Sequence, residues 1–243
     1  MKKYLLLSSL FLFLAFSLVG QNVKKIPLVE HFSNTRCPIC ASKSPALNNT
    51  LKANEGKLHH ITYHPPYPYD DCIFYLANKA GNQGRANYYN VPGTPRAYLN
   101  GVKTSGSKLL PEESLASALE LSSPVGIIVT EDVIAGNNTM HTAEITLKTL
   151  GDKPDGNYKL YVAVVEKKID YNAPNGETVH HDVFRKFLNF NTSSGQDIAL
   201  PAKGDSLVLN FNFTIDNNWQ EEEIYVLAFV QNDSDKSILN SGT

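Results

Sequence analysis

Two of the three cysteines in this 243-residue chain lie three residues apart, in the segment "TRCPICASKSP" that begins at Thr35. Cys37 and Cys40 could form a redox-active disulfide, supply half of a zinc site or make an inert local disulfide. Redox chemistry requires a reactive thiolate, because the thiolate is the nucleophile in disulfide exchange. The elements that surround the pair therefore decide which chemistry it could perform.

A helix is predicted directly after the first cysteine. Pro38 suits the first turn of a helix, and apolar residues follow at helical spacing in "ASKSPALNNTLKANEG". A sulfur at a helix N-terminus faces unpaired N–H groups and the positive end of the dipole, which favour the thiolate. Cys37 is therefore predicted to be the nucleophile, and Cys40, on the same side of the helix, to resolve a mixed disulfide. Arg36 adds a cation that favours the thiolate further.

The pattern of the chain changes near residue 123. Before it, strand-like and helix-like segments alternate in the order strand, helix, strand, helix, strand, strand, helix. After it, six strand candidates are separated by turns rich in Asn, Gly and Asp, which is typical of an antiparallel sandwich of the immunoglobulin or fibronectin type. Two domains are expected, residues 21–122 and 123–243, because the length suits two ordinary domains.

The first segment, with Cys-x-x-Cys at its first strand-to-helix junction, resembles the thioredoxin-like superfamily. Pro45, within the predicted helix, and "GTP" at residues 93–95 strengthen the resemblance. It implies a cis peptide bond before Pro95, and backbone hydrogen bonds from Thr94 and Pro95 to a bound peptide. It also implies a buried acid that moves the proton of the resolving cysteine, for which Glu30 is the candidate. The fold class expected is an α/β thioredoxin-like domain followed by an all-β sandwich domain.

The chain as a whole resembles a narrower family. The segments that carry the resemblance are "VEHFSNTRCPIC", "RANYYNVPGTPRAYLNG", "HHDVFRKFL" and "VLAFVQNDSDKSILNS". Together they resemble the exported, outer-membrane-associated proteins of one Bacteroidetes family, across most of the mature chain. Membership would imply a location in the cell envelope or outside the cell.

Residues 1–20 are predicted to be a secretory signal peptide. Lys2 and Lys3 precede an apolar run, and small residues follow near Gly20. Export would place the protein in the periplasm, at the outer membrane or outside the cell, where disulfides can persist. Three cysteines are nevertheless too few for a disulfide scaffold, and the chain is long enough to bury apolar cores without one. The cysteines are therefore more consistent with a functional than a structural role.

Composition and motifs narrow the classes of function. The formal net charge of the chain is −2, and losing the two lysines of the signal peptide makes it more negative, so a nucleic-acid partner is not expected. Zinc would require ligands such as Cys72 and His64, but the sequence has no second Cys-x-x-Cys or spaced His pair. Neither a metal nor another cofactor is expected. Cys72 is interpreted as a buried, unpaired cysteine.

The function predicted from these residues is that of an exported thiol–disulfide oxidoreductase. Its substrates would be protein thiols and disulfides, and a redox partner protein would restore its starting state. The alternative is an outer-membrane or surface binding protein in which the cysteine pair is not catalytic.

Overall fold

The computed structural model describes residues 22–134, 140–189 and 194–243, and the predicted signal peptide lies outside these ranges. The strands are β1 (Val23–Lys24), β2 (Leu28–Phe32), β3 (His59–Tyr63), β4 (Arg96–Leu99), β5 (Val102–Lys103), β6 (Ser122–Ser123), β7 (Val125–Val133), β8 (Met140–Thr149), β9 (Tyr158–Asp170), β10 (Val179–Phe187), β11 (Gln196–Ile198), β12 (Ser206–Thr214), β13 (Ile224–Asn232) and β14 (Ile238–Gly242). The helices are α1 (Pro38–Ala53), α2 (Ile73–Ala77), α3 (Lys79–Tyr88) and α4 (Glu112–Leu119), with a 3₁₀ turn at Glu221–Glu223. Across these ranges, no helix has the length and apolar character needed to cross a membrane.

Nine of the described strands form one mixed sheet. Its order is β14-β13-β9-β10-β3-β2-β4-β5, and β11 pairs with β9 outside this path. Strand β3 runs parallel to β2 on one side and to β10 on the other, where Val183 lies opposite Thr62. Strands from the beginning and the end of the chain therefore meet at β3.

Strand β9 is buried on both faces of this sheet. One face carries Leu160, Val162 and Val164, and the other carries Tyr161, Ala163 and Val165. Successive side chains of a strand point to opposite faces, so a strand covered on both sides needs apolar residues at every position. The uninterrupted run "LYVAVV" satisfies that requirement.

A second sheet covers one face of the large one. Strands β12, β8 and β7 form this three-stranded sheet within the described residues. Ile145 and Leu147 of β8 pack in a core with Val162 of β9 and Val226 of β13. The later part of the chain thus has the facing sheets of a β-sandwich, although one of the two sheets continues into the earlier part.

The expected fold class, an α/β thioredoxin-like domain followed by a separate immunoglobulin or fibronectin sandwich, is wrong. The structure is mostly β, with 41% of the described residues in strands and 20% in helices. The large sheet contains strands from both sides of residue 123, and Phe32 and Tyr63 share a core with Tyr161 and Phe229. The sequence indicates where strands occur but not which strands pair. The proposed boundary between residues 122 and 123 is not tested by this topology and stays a prediction.

A buried ion pair in the earlier part of the chain is hydrogen-bonded to a residue of the later part. Arg85 of α3 is fully buried, and its Nε and Nη2 donate hydrogen bonds to Glu30 of β2 over 2.6 and 3.0 Å. The hydroxyl of Tyr89 donates to the same carboxylate at 2.5 Å. The side-chain oxygen of Gln231 in β13 accepts from Arg85 at 2.8 Å. Glu30 and Arg85 are both buried away from solvent, so each charge depends on the other for compensation. Arg85 also depends on Gln231 of β13 for an acceptor.

Replacing Arg85 with Met should lower the free energy of unfolding by about 3–5 kcal/mol, because Glu30 would remain as an unpaired buried charge. Chemical unfolding followed by the fluorescence of Trp219 measures this change. The double variant Arg85→Met with Glu30→Gln removes that charge and should recover part of the loss. A loss below about 1 kcal/mol in the single variant, the range of exposed pairs, would contradict a stabilising role for Arg85.

Candidate dithiol site

The loop before α1 is organised by a buried asparagine. The Asn34 side chain donates hydrogen bonds to the carbonyl oxygens of Pro65 at 3.1 Å and Tyr69 at 2.8 Å, and accepts one from the Arg36 N–H at 3.0 Å. The Cys37 N–H donates to the Asn34 carbonyl at 3.0 Å. Asparagine favours such turns because its side chain bonds to the backbone two residues further on. The loop makes Cys37 the N-cap of α1, which begins at the next residue, as predicted.

The two cysteines lie at the start of α1, with Cys37 as its N-cap and Cys40 in its first turn. Cys37 Sγ accepts a hydrogen bond from the backbone N–H of Cys40 at 3.2 Å. This N–H is one of the donors that a helix terminus leaves unpaired, and such donors stabilise a thiolate. Burial, together with the contact with Cys37, raises the pKa of Cys40 to about 12. Cys40 therefore stays protonated near neutral pH until a reaction removes its proton.

The turn at Thr94 and Pro95 lies against this pair. The peptide bond between the two residues is cis, as predicted. The Thr94 carbonyl oxygen lies 3.8 Å from Cys37 Sγ and can accept a hydrogen bond from the thiol. The Thr94 hydroxyl donates to the Tyr67 carbonyl at 3.2 Å, which ties the turn to the loop after β3. The structure thus places Thr94 beside both cysteines, with Pro95 next to it in the same turn.

Arg36 lies at the exposed rim of the site. One of its guanidinium nitrogens is 2.9 Å from a carboxylate oxygen of Asp71, and both side chains are partly exposed to solvent. The guanidinium carbon also lies 6.0 Å from the centre of the Tyr69 ring. Ion pairs at such exposed positions contribute little to stability, because water and salt screen them. The effect of Arg36 on the Cys37 thiolate stays a prediction.

Glu30 faces away from the cysteines. Its neighbour Val29 packs with Leu47 of α1, and alternation along β2 directs Glu30 to the opposite face of the sheet, where it meets Arg85. The Cys40 thiol instead interacts with Ser33 and Thr94. The predicted role of Glu30 in moving the Cys40 proton therefore has no supporting contact among the described residues.

Cys72 is separate from the pair. It precedes α2, is fully buried, and its Sγ accepts a hydrogen bond from the Thr35 hydroxyl at 3.2 Å. It packs with Phe74 and Val183, so the interpretation as a buried unpaired cysteine is confirmed. In the described ranges, no three residues among His, Cys, Asp and Glu lie in an arrangement that could hold a metal ion.

A polar cavity borders α1 on the face of β2 that carries Val29. It is lined in part by His31, Ser33, His64, Glu177 and His180. Burial, with a smaller effect of nearby His60, lowers the pKa of His31 to about 3, and burial lowers the pKa of His64 well below its ordinary value. Both imidazoles are therefore neutral at pH 7. The sequence analysis did not single out this cavity, because its walls come from three distant segments.

Asn175, in the connection between β9 and β10, was also missed. Its side-chain Nδ2 lies 3.2 Å from the carbonyl oxygen of Cys37 and 3.3 Å from that of Asn34. The turn propensity of asparagine could have drawn attention to Asn34. No local signal connects Asn175 with a loop 138 residues earlier in the chain.

The fold and the site define a mostly β protein with a Cys-x-x-Cys pair at a helix N-terminus. Residues 82–242 match the family described as outer membrane protein Omp28. This match covers more than half of the chain, so the protein belongs to the Omp28 family. It is exported and associated with the outer membrane, which confirms the predicted location and the narrower of the two resemblances.

Solved structures provide a comparison of the fold. HBP35 of Porphyromonas gingivalis is 18% identical, with a TM-score of 0.75, over 90% of this chain and 74% of its own. A structural-genomics protein of Agrobacterium tumefaciens is also 18% identical, with a TM-score of 0.57, over 91% of this chain and 93% of its own. At such identities the likeness concerns the fold alone. No curated protein matches the chain. These comparisons name neither a thioredoxin-like protein nor a redox activity. The resemblance to the thioredoxin-like superfamily is therefore not confirmed.

His31→Asn should make stability less sensitive to acid. In the native protein the pKa of His31 is about 3, well below its ordinary value of 6.5, so the unfolded chain binds this proton at a higher pH than the folded chain. The stabilising effect of keeping His31 neutral is therefore complete above about pH 6.5 and is lost progressively as the pH falls towards 3. Urea unfolding at a series of pH values across this window measures the slope.

The control is His141→Asn, which removes a histidine from the three-stranded sheet, away from the cavity. Equal slopes for wild type and His31→Asn would show that protonation of His31 does not contribute to acid unfolding.

Proposed function

We propose that this outer-membrane-associated protein exchanges thiols and disulfides with protein substrates through Cys37 and Cys40. The observation that carries the proposal is the 3.2 Å hydrogen bond from the Cys40 N–H to Cys37 Sγ at the start of α1. A backbone donor in this position stabilises negative charge on sulfur, and a thiolate is the nucleophile of disulfide exchange. Cys40 is close enough in sequence and space to attack the same sulfur afterwards.

Reduction of a substrate disulfide would proceed in two exchanges. The Cys37 thiolate attacks one substrate sulfur, a Cys37–substrate disulfide forms, and the second substrate sulfur leaves as a thiolate that takes up a proton. Cys40 then loses its proton and attacks Cys37 Sγ, which breaks the mixed disulfide and releases the first substrate sulfur as a thiolate that is also protonated. Two electrons pass to the substrate, and Cys37 and Cys40 end as a disulfide. The reverse sequence oxidises a substrate dithiol.

The groups around the pair have proposed roles in this exchange. Thr94 and Pro95 would guide the backbone of a substrate peptide past Cys37, since the Thr94 carbonyl already lies within 3.8 Å of the sulfur. Arg36, which is partly exposed at the rim, would contact the substrate. A partner protein with its own dithiol or disulfide would return the pair to its starting state.

A second candidate function is binding or interaction at the outer membrane with an inert cysteine pair. The family comparison favours it more directly than it favours catalysis, because it names an outer membrane protein and no redox reaction. The burial of Cys37, which is 2% exposed, also favours it, since a substrate disulfide must reach that sulfur. The two candidates differ in whether Cys37 reacts with protein disulfides.

Insulin reduction in the presence of dithiothreitol separates them. The wild-type protein should accelerate the precipitation of reduced insulin chains, and Cys37→Ser should return the rate to that of dithiothreitol alone, because the nucleophile is gone. In a separate incubation with insulin but without dithiothreitol, which would cleave the product, Cys40→Ser should leave Cys37 joined to substrate because the resolving thiol is missing. Non-reducing electrophoresis should detect this mixed disulfide.

Cys72→Ala is the matched control, since it removes a buried thiol outside the pair and should keep wild-type activity. A wild-type rate equal to that of dithiothreitol, with no mixed disulfide in Cys40→Ser, would reject exchange and leave the binding function as the proposal.

A further inference from the structure

The connection between β9 and β10, residues 171–178, reaches across the molecule to the cysteine loop. The connection makes a turn of its own, in which the Gly176 N–H donates to the Ala173 carbonyl at 2.9 Å. At the tip of this turn, the backbone N–H of Asn175 donates to the carbonyl of Thr35 at 3.1 Å. The backbone of the later part of the chain is therefore joined directly to the loop that precedes Cys37.

The Asn175 side chain extends this junction to the nucleophile itself. Its Nδ2 lies 3.2 Å from the Cys37 carbonyl oxygen, 3.3 Å from the Asn34 carbonyl oxygen and 2.6 Å from a carboxylate oxygen of Glu177. Its Oδ1 accepts the N–H of Glu177 at 3.1 Å. Nδ2 faces three acceptors and Oδ1 a donor, so the orientation of the amide is well determined.

We propose that Asn175 is a positioning residue for the Cys37–Cys40 pair, so that the β9–β10 connection is part of the dithiol site. The proposal rests on the exchange function proposed above. Asn175 does not touch the sulfur atoms. It acts through the carbonyl of Cys37, which also accepts the N–H of Ala41 at 3.3 Å in the first turn of α1.

Asn175 can influence the Cys37 sulfur because it helps to hold this N-cap residue in one orientation. Because Cys37 is the N-cap, its backbone angles determine whether Sγ lies within reach of the Cys40 N–H. Two donors hold its carbonyl, one from the helix and one from Asn175, and the second prevents the loop from turning away. Without Asn175, the contact between Sγ and the Cys40 N–H would be formed for a smaller fraction of the time. The thiolate would then be less stabilised.

The test uses Asn175→Ala in the full chain with two reagents. The rate of Cys37 alkylation by iodoacetamide is followed from pH 5 to 10, at about one-unit steps around the ordinary range for cysteine. At pH 7 the alkylation rate of Asn175→Ala should be about two-fold to ten-fold lower than that of the wild type, the range expected for losing one hydrogen bond. The pH profile of this rate should move to higher pH. The reduction potential of the pair against glutathione should become more negative, because the reduced form loses stabilisation.

Two control variants test whether the changes in rate and potential arise from loss of the Asn175 amide. Asn172→Ala removes an exposed asparagine from the same connection and should match the wild type. Asn175→Gln keeps the amide on a longer side chain and should recover part of the effect. If Asn175→Ala does not fold, Asn175→Ser, which is too short to reach the Cys37 carbonyl, carries the same test.

A wild-type pH profile and potential in a folded Asn175 variant would overturn the proposal, and so would an equal shift in Asn172→Ala. Both readouts use small reagents, so they report on Asn175 even if the wild-type protein fails to reduce insulin. Failure of the exchange function and failure of the positioning role are therefore distinguishable.

Discussion

The burial of one guanidinium group constrains much of this structure. Arg85 is fully buried among aromatic rings. Its guanidinium carbon lies 4.4 Å from the centre of the Tyr161 ring and 5.2 Å from that of the Phe229 ring. Its charge is tolerable only because Glu30 and Gln231 supply acceptors. Strand β2, helix α3 and strand β13 must therefore come together in one arrangement. The cysteine loop follows β2 directly, so its position depends on the same arrangement.

Local features of the site were predictable from local sequence. Proline is well accommodated in the first turn of a helix, so Pro38 placed Cys37 at the helix terminus. The Gly-Thr-Pro segment contains two residue types typical of turns, and its resemblance to the thioredoxin-like proline turn identified Thr94 and Pro95 as neighbours of the cysteines. Most strand segments were also visible, because side-chain alternation and turn residues are properties of short windows.

Features that depend on distant segments were not predictable. Strand β3 could be recognised as a strand, but its pairing with β10 through Thr62 and Val183 requires knowledge of the whole sheet. Glu30 illustrates the same limit on a smaller scale. Both of its neighbours along β2 are buried, so the sequence could not indicate which face α1 would cover. The resemblance to the thioredoxin-like superfamily suggested a role for Glu30 beside Cys40, whereas its position on the strand places it on the opposite face of the sheet.

The contact between Asn175 and the Cys37 carbonyl has a consequence for the order of events during export. A chain that crosses a membrane from its N-terminus delivers the two thiols to the oxidising compartment first, and the segment that holds their loop arrives 138 residues later. Newly delivered cysteines therefore meet oxidants while their loop is still unrestrained. The contact with Asn175 can form only once the β9–β10 segment has emerged, so the final arrangement of the thiol pair depends on translocation of the chain as far as that segment.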